Sequence, residues 1–251
     1  MHAIILAAGM GKRLRPLTEN IPKAMIELRN GARIIDIICC NLLSVGVDGI
    51  TIVVGHASSA LRKHVESNDL YKEFQAISFV ENRDYKSTNT GFSLLLALES
   101  MNQLRGDIFI VNGDIIFDQR ILKKLAMTPG TAIVVDNVKK LTEESFKVLI
   151  KDGRIVEMGK QIDVNIASGE YIGLSKIAEN DIGAAVEILR SIVSKDRNAY
   201  YDFLFQELSK FLQVRFVYTD GLLWTEVDFP DDLEYARKII NLMHLGSRCV
   251  F

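Results

Sequence analysis

Residues 6–25 have the sequence LAAGMGKRLRPLTENIPKAM, and they continue the apolar run AIILAA at 3–8. The apolar run predicts a buried strand, and the glycines that follow predict a loop whose backbone can approach a ligand closely. Backbone N–H groups in such a loop can bind phosphate oxygens, and Lys12, Arg13 and Lys23 add positive charge. The segment therefore predicts a phosphate-binding loop at the end of the first strand.

The spacing of the glycines excludes two common nucleotide-binding motifs. The dinucleotide fingerprint requires a third glycine where this chain has Leu14. The Walker motif requires four residues between its glycines, whereas a single residue separates Gly9 from Gly11. It also requires a serine or threonine after the lysine, and here Arg13 follows Lys12. A phosphate loop of another kind is therefore expected.

Working outward from the loop, strand-like runs alternate with helical patterns as far as Asp136. The predicted strands are 3–8, 50–55, 76–82, 107–114 and 131–136, and the predicted helices are 33–45, 57–66, 91–101 and 121–126. Alternation of this kind implies βαβ units around a mostly parallel sheet. The first half of the chain therefore predicts an α/β fold.

The pattern changes in the second half of the chain. Two β-like runs at 146–159 flank Asp152–Gly153, which is a strong hairpin signal. The remaining predicted elements are strands at 170–177, 214–219 and 222–228 and helices at 182–193, 200–211 and 230–243. No linker or internal repeat separates the halves. We therefore expect one α/β domain over 1–251, with a mixed, mostly parallel central sheet, flanking helices and a small antiparallel β insertion.

Composition limits the functional classes. The chain has 251 residues and a net charge of −2, with 48% hydrophobic and 25% charged residues. These values are typical of a globular protein and not of a disordered chain. The charge balance argues against a nucleic-acid partner bound through bulk positive charge. No apolar run approaches the roughly 20 residues of a membrane span, and no secretory signal is evident, so a cytoplasmic location without membrane insertion is expected.

Carboxylates are expected to gather near the phosphate loop. Asp114 follows the apolar strand IFIVN, and ligands of open parallel sheets bind beyond the carboxyl ends of the strands. In LLWTEVD at 222–228, the period of two places Trp224, Glu226 and Asp228 on one face. Carboxylates on an otherwise apolar strand repel each other unless a divalent cation neutralises them. The pattern therefore predicts a metal site, in which Glu226 is either a further metal ligand or a residue of the outer coordination shell.

The string LAAGxGxRLxPLTxxxPK resembles the signature of nucleotidyltransferases that activate sugar and alcohol phosphates, and the resemblance covers nearly the full chain. It implies a Rossmann-like nucleotidyltransferase fold in which the loop wraps the nucleotide triphosphate. It also implies Mg²⁺ as cofactor, with Asp114 and Asp228 as metal ligands. The catalytic residues that it implies are Arg13, Lys23 and Asp114. The chain would then divide into a nucleotide-binding half, 1–136, and an acceptor-binding half with the closing helix, 137–251.

A second segment indicates which base the nucleotide carries. The stretch 76–99 resembles the pattern Asn-x-x-Tyr-x-x-Thr-Asn-Asn-x-x-Ser of cytidylyltransferases acting on phosphocholine or inositol phosphate, with matches at Asn82, Tyr85, Thr88, Asn89 and Ser93. Thr90 replaces the second asparagine. An amide can donate and accept at once, which suits base recognition, although Thr88 and Asn89 can also cap a helix. The predicted nucleotide-binding residues are Leu6, Ala7, Ala8, Gly9, Gly11, Arg13, Lys23, Asn82, Asn89, Ser93 and Asp114.

The acceptor site is expected in the second half, and its chemistry stays open. The predicted acceptor-binding residues are Lys160, Glu170, Tyr171, Trp224 and Glu226, and Lys147 and Gly173 match the same region. A trimethylammonium acceptor would require an aromatic cage, for which the candidates are Tyr171, Tyr200, Tyr201 and Trp224. A polyol would instead form hydrogen bonds with Glu170, Asp163 and Lys160. Tyr200, Tyr201 and Phe203 are also expected to be core residues.

These observations predict an enzyme that transfers CMP from CTP to a small phosphorylated alcohol, such as phosphocholine or inositol 1-phosphate, and releases pyrophosphate. The alternative is a hexose-1-phosphate nucleotidylyltransferase that uses UTP or dTTP. A nucleotide-sensing subunit without turnover is a further alternative, but such a protein would be expected to lose the basic loop residues or the metal-binding aspartates. The oligomeric state stays open, a homo-oligomer included.

Overall fold

The computed structural model describes residues 1–101 and 105–246. The first strands in chain order are β1 (His2–Ala7), β2 (Glu27–Arg29), β3 (Ala32–Arg33), β4 (Gly49–Val54), β5 (Ala76–Glu81), β6 (Ile108–Asn112) and β7 (Ile115–Phe117). They are followed by β8 (Ala132–Asp136), β9 (Lys147–Lys151), β10 (Arg154–Gly159), β11 (Gly169–Ile177), β12 (Arg215–Tyr218) and β13 (Trp224–Glu226). The α-helices are α1 (Ile34–Ser44), α2 (Ser58–Ser67), α3 (Thr90–Ser100), α4 (Gln119–Met127), α5 (Ile182–Lys195), α6 (Phe203–Leu208) and α7 (Pro230–Ile239).

Four parallel strands in the order β5-β4-β1-β6 form the centre of a nine-stranded sheet. In this register Leu6 of β1 aligns with Val53 of β4 and with Asn112 of β6. The carboxyl ends of the three strands therefore meet at one edge of the sheet. The strands β1, β4 and β6 are buried almost throughout, as expected for parallel strands covered on both faces.

Antiparallel pairing extends this sheet through β11, which pairs with β6, β8 and β9. The strands β9 and β10 form the predicted hairpin, and its turn residues Asp152 and Gly153 have φ values of 50° and 72°. Positive φ at both positions is the geometry of the two-residue turns that match the twist of paired strands. The expected mixed sheet with a small antiparallel insertion is therefore confirmed.

Side chains of β1 alternate between two cores on opposite faces of the sheet. Ala3, Ile5 and Ala7 belong to one core, which also includes buried residues of α1, α2, α4 and α7. Ile4 and Leu6 belong to the other, which includes buried residues of α3, α5 and α6. This period of two places helices on both faces, as predicted. Within the two described stretches, no helix combines the length and apolarity that crossing a membrane would require.

The predicted strand at 107–114 is β6, which ends at Asn112, and the structure adds a further strand, β7, which begins at Ile115 after the turn at Gly113 and Asp114. β7 leaves the main sheet and pairs antiparallel with β13. The predicted strand at 222–228 is correspondingly short and ends at Glu226, so Asp228 lies beyond it. Sequence periodicity does not reveal this second, two-stranded sheet because β7 has only three residues.

Two predicted helices are longer than the observed ones. The helix expected at 200–211 covers only Phe203–Leu208, and just before it the Tyr201 N–H donates to the Thr90 hydroxyl. The helix expected at 230–243 ends at Ile239. Beyond it the backbone N–H of His244 donates to Asp118, the N-cap of α4, which turns the chain away from the helix axis.

Candidate active site

A cleft of about 370 Å³ opens at the carboxyl ends of β1 and β6. All of the residues predicted to bind the nucleotide line it, namely Leu6, Ala7, Ala8, Gly9, Gly11, Arg13, Lys23, Asn82, Asn89, Ser93 and Asp114. The parallel register accounts for this convergence, because it brings the loops that follow these strands to one edge of the sheet.

The glycine loop after β1 is held by contacts within the chain. Gly11 has φ of +56°, in the left-handed region, and a Cβ at this position would lie 3.0 Å from the Thr18 methyl carbon. The Thr18 hydroxyl donates to the Gly11 carbonyl at 2.7 Å, and Nε2 of His56 donates to the Thr18 carbonyl at 2.8 Å. Because His56 lies two residues beyond β4, these bonds tie the loop to the neighbouring strand.

Gly113 determines where Asp114 emerges. Its N–H donates to the Leu6 carbonyl at 3.0 Å, and a Cβ there would lie only 2.6 Å from the same oxygen. Only glycine permits so close an approach of the two backbones. The chain therefore passes against the end of β1, and Asp114 enters the cleft beside the glycine loop.

Pairing of β7 with β13 brings the second group of carboxylates to Asp114. Glu226 aligns with Ile115, and the Val227 N–H donates to the Asp114 carbonyl at 2.9 Å. The backbone N–H of Asp228 is in turn bound by the Asp232 carboxylate at 3.0 Å, at the start of α7. Asp114, Glu226 and Asp228 can each direct one oxygen to a common point, with these oxygens all within 4.8 Å of one another.

Lys23 and Arg13 neutralise part of this acidic cluster. The Lys23 ammonium donates to Asp114 at 2.8 Å and also to Asp228, and Arg13 donates to Asp228 at 3.2 Å. Burial alone would lower the pKa of Lys23, but the surrounding carboxylates outweigh it and raise the pKa. Lys23 is therefore a fixed positive charge in the cleft.

The carboxylate cluster fits a divalent cation. Oδ1 of Asp114 is buried and has no hydrogen-bond partner among the described residues, although a buried carboxylate oxygen ordinarily has one. Glu226 is exposed to the cleft, and partial desolvation by the surrounding cleft walls together with repulsion from Asp114 and Asp228 raises its pKa to about 8. Carboxylate oxygens are the ligands that hard cations prefer, so a metal ion would satisfy the orphan oxygen and relieve the repulsion.

The residues that match the cytidylyltransferase pattern form the other wall of the cleft. Asn82 is buried, and its amide nitrogen donates to Thr88 at 3.0 Å and to Ser93 at 2.9 Å. Its carbonyl oxygen accepts from the Asp84 N–H, so the side chain organises this wall. Asn89 caps α3 by accepting from the Thr90 N–H at 2.9 Å. The described residues provide no partner for the amide nitrogen of Asn89, which leaves this donor for a ligand.

A second cleft, of about 390 Å³, adjoins the first. All of the residues predicted to bind the acceptor line it, namely Lys160, Glu170, Tyr171, Trp224 and Glu226, together with Gly173. Lys160 forms an ion pair with Glu144 at 2.9 Å, and burial raises the pKa of Glu170. Lys147 does not line the cleft, because its buried ammonium binds the carbonyl oxygens of Thr142, Glu143 and Ser145.

Three of the four candidates for an aromatic cage are covered by the protein. Tyr171 and Tyr201 are buried, and their hydroxyls lie 2.6 Å apart in a hydrogen bond. Trp224 is also buried, with its indole N–H bound to Asp136 and the Lys139 ammonium 3.8 Å from its ring centre. Tyr200 is 41% exposed, so the expectation of a core residue is wrong for Tyr200 and right for Tyr201.

Several residues of the clefts were not anticipated, among them Asn112, Asp202 and Lys139. Asn112 and Asp202 line both clefts, and Lys139 lines the second. Asn112 is the last residue of β6, directly before Gly113 and Asp114, and that position is a signal that could have identified it. Asp202 directly precedes α6 and resembles any helix cap in the sequence, so no local signal distinguishes it.

Comparison with known proteins agrees with this geometry. The family model described as nucleotidyl transferase matches residues 2–153. CTP:phosphoglutamine cytidylyltransferase of Campylobacter jejuni is 31% identical over 259 residues, covering 93% of this chain and 98% of that protein. The bifunctional IPC transferase and DIPP synthase of Aquifex aeolicus is 29% identical over 95% of this chain, which spans 51% of that longer protein. The solved CTP:phosphocholine cytidylyltransferase of Streptococcus pneumoniae has the same fold, with a TM-score of 0.74 at 24% identity over 95% of this chain and 98% of that chain.

Proposed function

This chain belongs to the nucleotidyl transferase family, and on that premise we propose that it transfers CMP from CTP to a small phosphorylated alcohol and releases pyrophosphate. The observation that carries the proposal is the meeting of a basic glycine loop with three carboxylates in one cleft. The relative from Campylobacter jejuni, which matches almost end to end, is named as a CTP-dependent transferase and supports cytidine as the nucleoside.

In the proposed reaction a phosphate oxygen of the acceptor attacks the α-phosphorus of CTP. The new P–O bond forms as the bond between the α-phosphorus and the bridging oxygen breaks, and pyrophosphate leaves. No covalent enzyme intermediate is required, because the acceptor phosphate is already an ionised nucleophile. The contribution of the protein is therefore positioning and charge stabilisation.

Each basic residue has a distinct role in this proposal. Lys23 stays protonated because the carboxylates raise its pKa, so it can neutralise charge that develops around the α-phosphate. Arg13 is more exposed than Lys23 and lines both clefts, which suits binding of the triphosphate and of the departing pyrophosphate. Backbone N–H groups of the loop around Gly9 and Gly11 would bind the remaining phosphate oxygens.

Asp114 and Asp228 would hold Mg²⁺, with Glu226 as a further ligand. The bound ion would neutralise negative charge on the phosphates and help to orient them. Asp228 and Glu226 line both clefts, so the proposed ligands lie where nucleotide and acceptor would meet. In this proposal residues of 1–136 would provide most of the nucleotide site and residues of 137–251 most of the acceptor site, with Glu226 and Asp228 shared by both clefts.

The proposal is tested by measuring pyrophosphate release from CTP, UTP, dTTP and ATP with a panel of phosphorylated alcohols and hexose 1-phosphates. We expect CTP to exceed UTP by at least about a hundredfold in kcat/KM, since a polar mismatch at a base leaves a buried group unpaired. Asn89→Ala should reduce this ratio more than it slows CTP turnover, because it removes a donor that the protein leaves free. Preference for UTP with a hexose 1-phosphate would establish the alternative reaction, and the absence of turnover with every pair would contradict catalysis.

A further inference from the structure

Asp202 lines both clefts, and the part of the chain that the structure describes provides no ion-pair partner for its carboxylate. It directly precedes α6, it is 6% exposed, and it lines both clefts. Its carboxylate does not cap the helix, and apart from its own backbone N–H no described residue donates to it or forms an ion pair with it. The mechanism above does not use this group.

A buried carboxylate without a counter-charge is costly, and the cost needs a physical reason. Burial, with repulsion from Asp114, raises the pKa of Asp202 to about 7. The described cations that line the second cleft form no ion pair with it. Lys139 donates to the Trp224 carbonyl and covers the indole ring, Lys160 pairs with Glu144, Arg13 pairs with Asp228, and Lys140 is not among the groups that shift the pKa of Asp202. A cationic ligand would supply the counter-charge that the described residues do not.

The surroundings of Asp202 indicate which kind of cation fits. A quaternary ammonium is bound by aromatic faces, but Tyr171 and Tyr201 are buried against each other and the Trp224 face is occupied by Lys139. A carboxylate instead favours a cation that can donate hydrogen bonds. Tyr200 lies two residues before Asp202 in the chain, is 41% exposed and lines both clefts, so its ring is accessible to a ligand.

We propose that the acceptor carries a primary ammonium group, which donates hydrogen bonds to Asp202 while its phosphate lies beside the carboxylate cluster. This inference rests on the proposed nucleotidyl transfer and specifies its acceptor as an aminoalkyl phosphate or a related amine-bearing phosphate. Asp202 is then a binding residue for the acceptor, and the charge that the free protein leaves unpaired is neutralised when the acceptor binds.

Three acceptors with one two-carbon scaffold test the proposal on the unaltered protein. They are 2-aminoethyl phosphate, its trimethylated form phosphocholine, and 2-hydroxyethyl phosphate, each with Mg²⁺ and saturating CTP. We expect 2-aminoethyl phosphate to exceed both others by roughly 10- to 100-fold in kcat/KM, the range of a hydrogen bond to a charged group. Phosphocholine has the same charge without an N–H donor, so equal or better use of it, or of the hydroxyl analogue, overturns the proposal.

The variant Asp202→Asn tests whether the preference for the amine-bearing acceptor depends on Asp202. Asp202→Asn keeps the shape of the side chain and removes its charge, so we expect it to lose the preference for the amine while still using 2-hydroxyethyl phosphate. Asp69→Asn is the matched control, because Asp69 is exposed, pairs with Lys72 and lines neither cleft. Retention of the full amine preference by Asp202→Asn also overturns the proposal.

Calorimetric binding of the three phosphates in the presence of a non-hydrolysable CTP analogue separates this inference from the proposed reaction. Tighter binding of 2-aminoethyl phosphate that Asp202→Asn abolishes supports the ammonium site even if pyrophosphate release fails for every acceptor. Pyrophosphate release from CTP with equal binding of all three phosphates would instead leave the reaction standing and exclude the ammonium site.

Discussion

Lys23 contacts two of the three carboxylates that would hold a metal ion. Its ammonium therefore balances the cluster in the ligand-free protein, and a divalent cation has to compete with it for Asp114 and Asp228. The incoming triphosphate offers Lys23 a new anionic partner. Metal and nucleotide are consequently expected to bind together better than either binds alone.

Replacing Lys23 tests both parts of this argument. Lys23→Ala should lower kcat by about 10²–10³-fold at saturating CTP, because it removes one electrostatic donor that acts in the transition state. Binding of Mn²⁺ without nucleotide should become tighter, since the competing charge is gone, and this is measured by calorimetry. Lys72→Ala is the control for a surface lysine. A change in KM alone would contradict a catalytic role for Lys23.

Asp202 should make stability depend on pH. Its folded-state pKa is about 7 against an ordinary value of 3.8, so between these values the unfolded chain loses a proton that the folded protein retains. The free energy of unfolding of the wild type should therefore fall relative to Asp202→Asn as pH rises from 4 to 7, by about 4 kcal/mol in total, and the difference should then level off. Urea unfolding of both proteins without ligand at several pH values measures it. A constant difference across that range would contradict the raised pKa.

At the scale of elements, the phosphate loop is tied to β4 through His56 and Thr18. The loop has glycines where it approaches the ligand, so its own backbone preference does little to fix its shape. The bonds from outside the loop compensate for that freedom. We therefore expect His56 to be a positioning residue that acts on a bound nucleotide through Thr18 and Gly11.

Variants of His56 are expected to affect binding more than chemistry. His56→Ala should raise the KM for CTP by about five- to tenfold, the value of one hydrogen bond, with a smaller effect on kcat. His56→Gln should recover part of the loss, because its amide can donate to the Thr18 carbonyl. His244→Ala, which alters an exposed imidazole, is the control. Equal defects in the alanine and glutamine variants would show that packing, and not the hydrogen bond, is what matters.

At the scale of the whole molecule, the first cleft takes residues from distant parts of the chain. The glycine loop follows β1, Asp114 follows β6, and Asp228 follows β13. A nucleotide bound across these elements links them, and a ligand that binds only the folded protein stabilises it by mass action. Nucleotide binding should therefore be visible in global unfolding.

Thermal unfolding provides this measurement. Mg²⁺ with CTP at about one hundred times its Kd should raise Tm by about 5–10 °C, from roughly 2.7 kcal/mol of linkage in a chain of this size. A chelator should remove most of the shift, and Asp228→Ala should abolish it. Mg²⁺ alone should change Tm little, because Lys23 already neutralises the carboxylates. A full shift in the presence of chelator would contradict the metal site.

Local signals account for what could be predicted from the sequence. The strand–helix alternation indicated the parallel sheet, and Asp152–Gly153 indicated the hairpin, because each signal lies within a few neighbouring residues. The loop string and Asp114 were identified in the same way, since strand ends are visible as the limits of apolar runs. The helices expected at 200–211 and 230–243 proved shorter, and the backbone N–H groups of Tyr201 and His244, just outside them, bind the distant residues Thr90 and Asp118, contacts that no local pattern indicates.

The sequence by itself thus determined the fold class and the phosphate loop, through periodicity and motif spacing, while the family resemblance supplied the residues of the clefts. The tertiary structure decided how the predicted carboxylates meet, because that depends on the pairing of β7 with β13, which no sequence pattern indicated. It also decided that Trp224 and Tyr171 are covered and that no described residue supplies a counter-charge to Asp202. The physical reason is that burial and charge compensation are properties of the packed neighbourhood, which brings together residues far apart in the chain and which no local window of sequence contains.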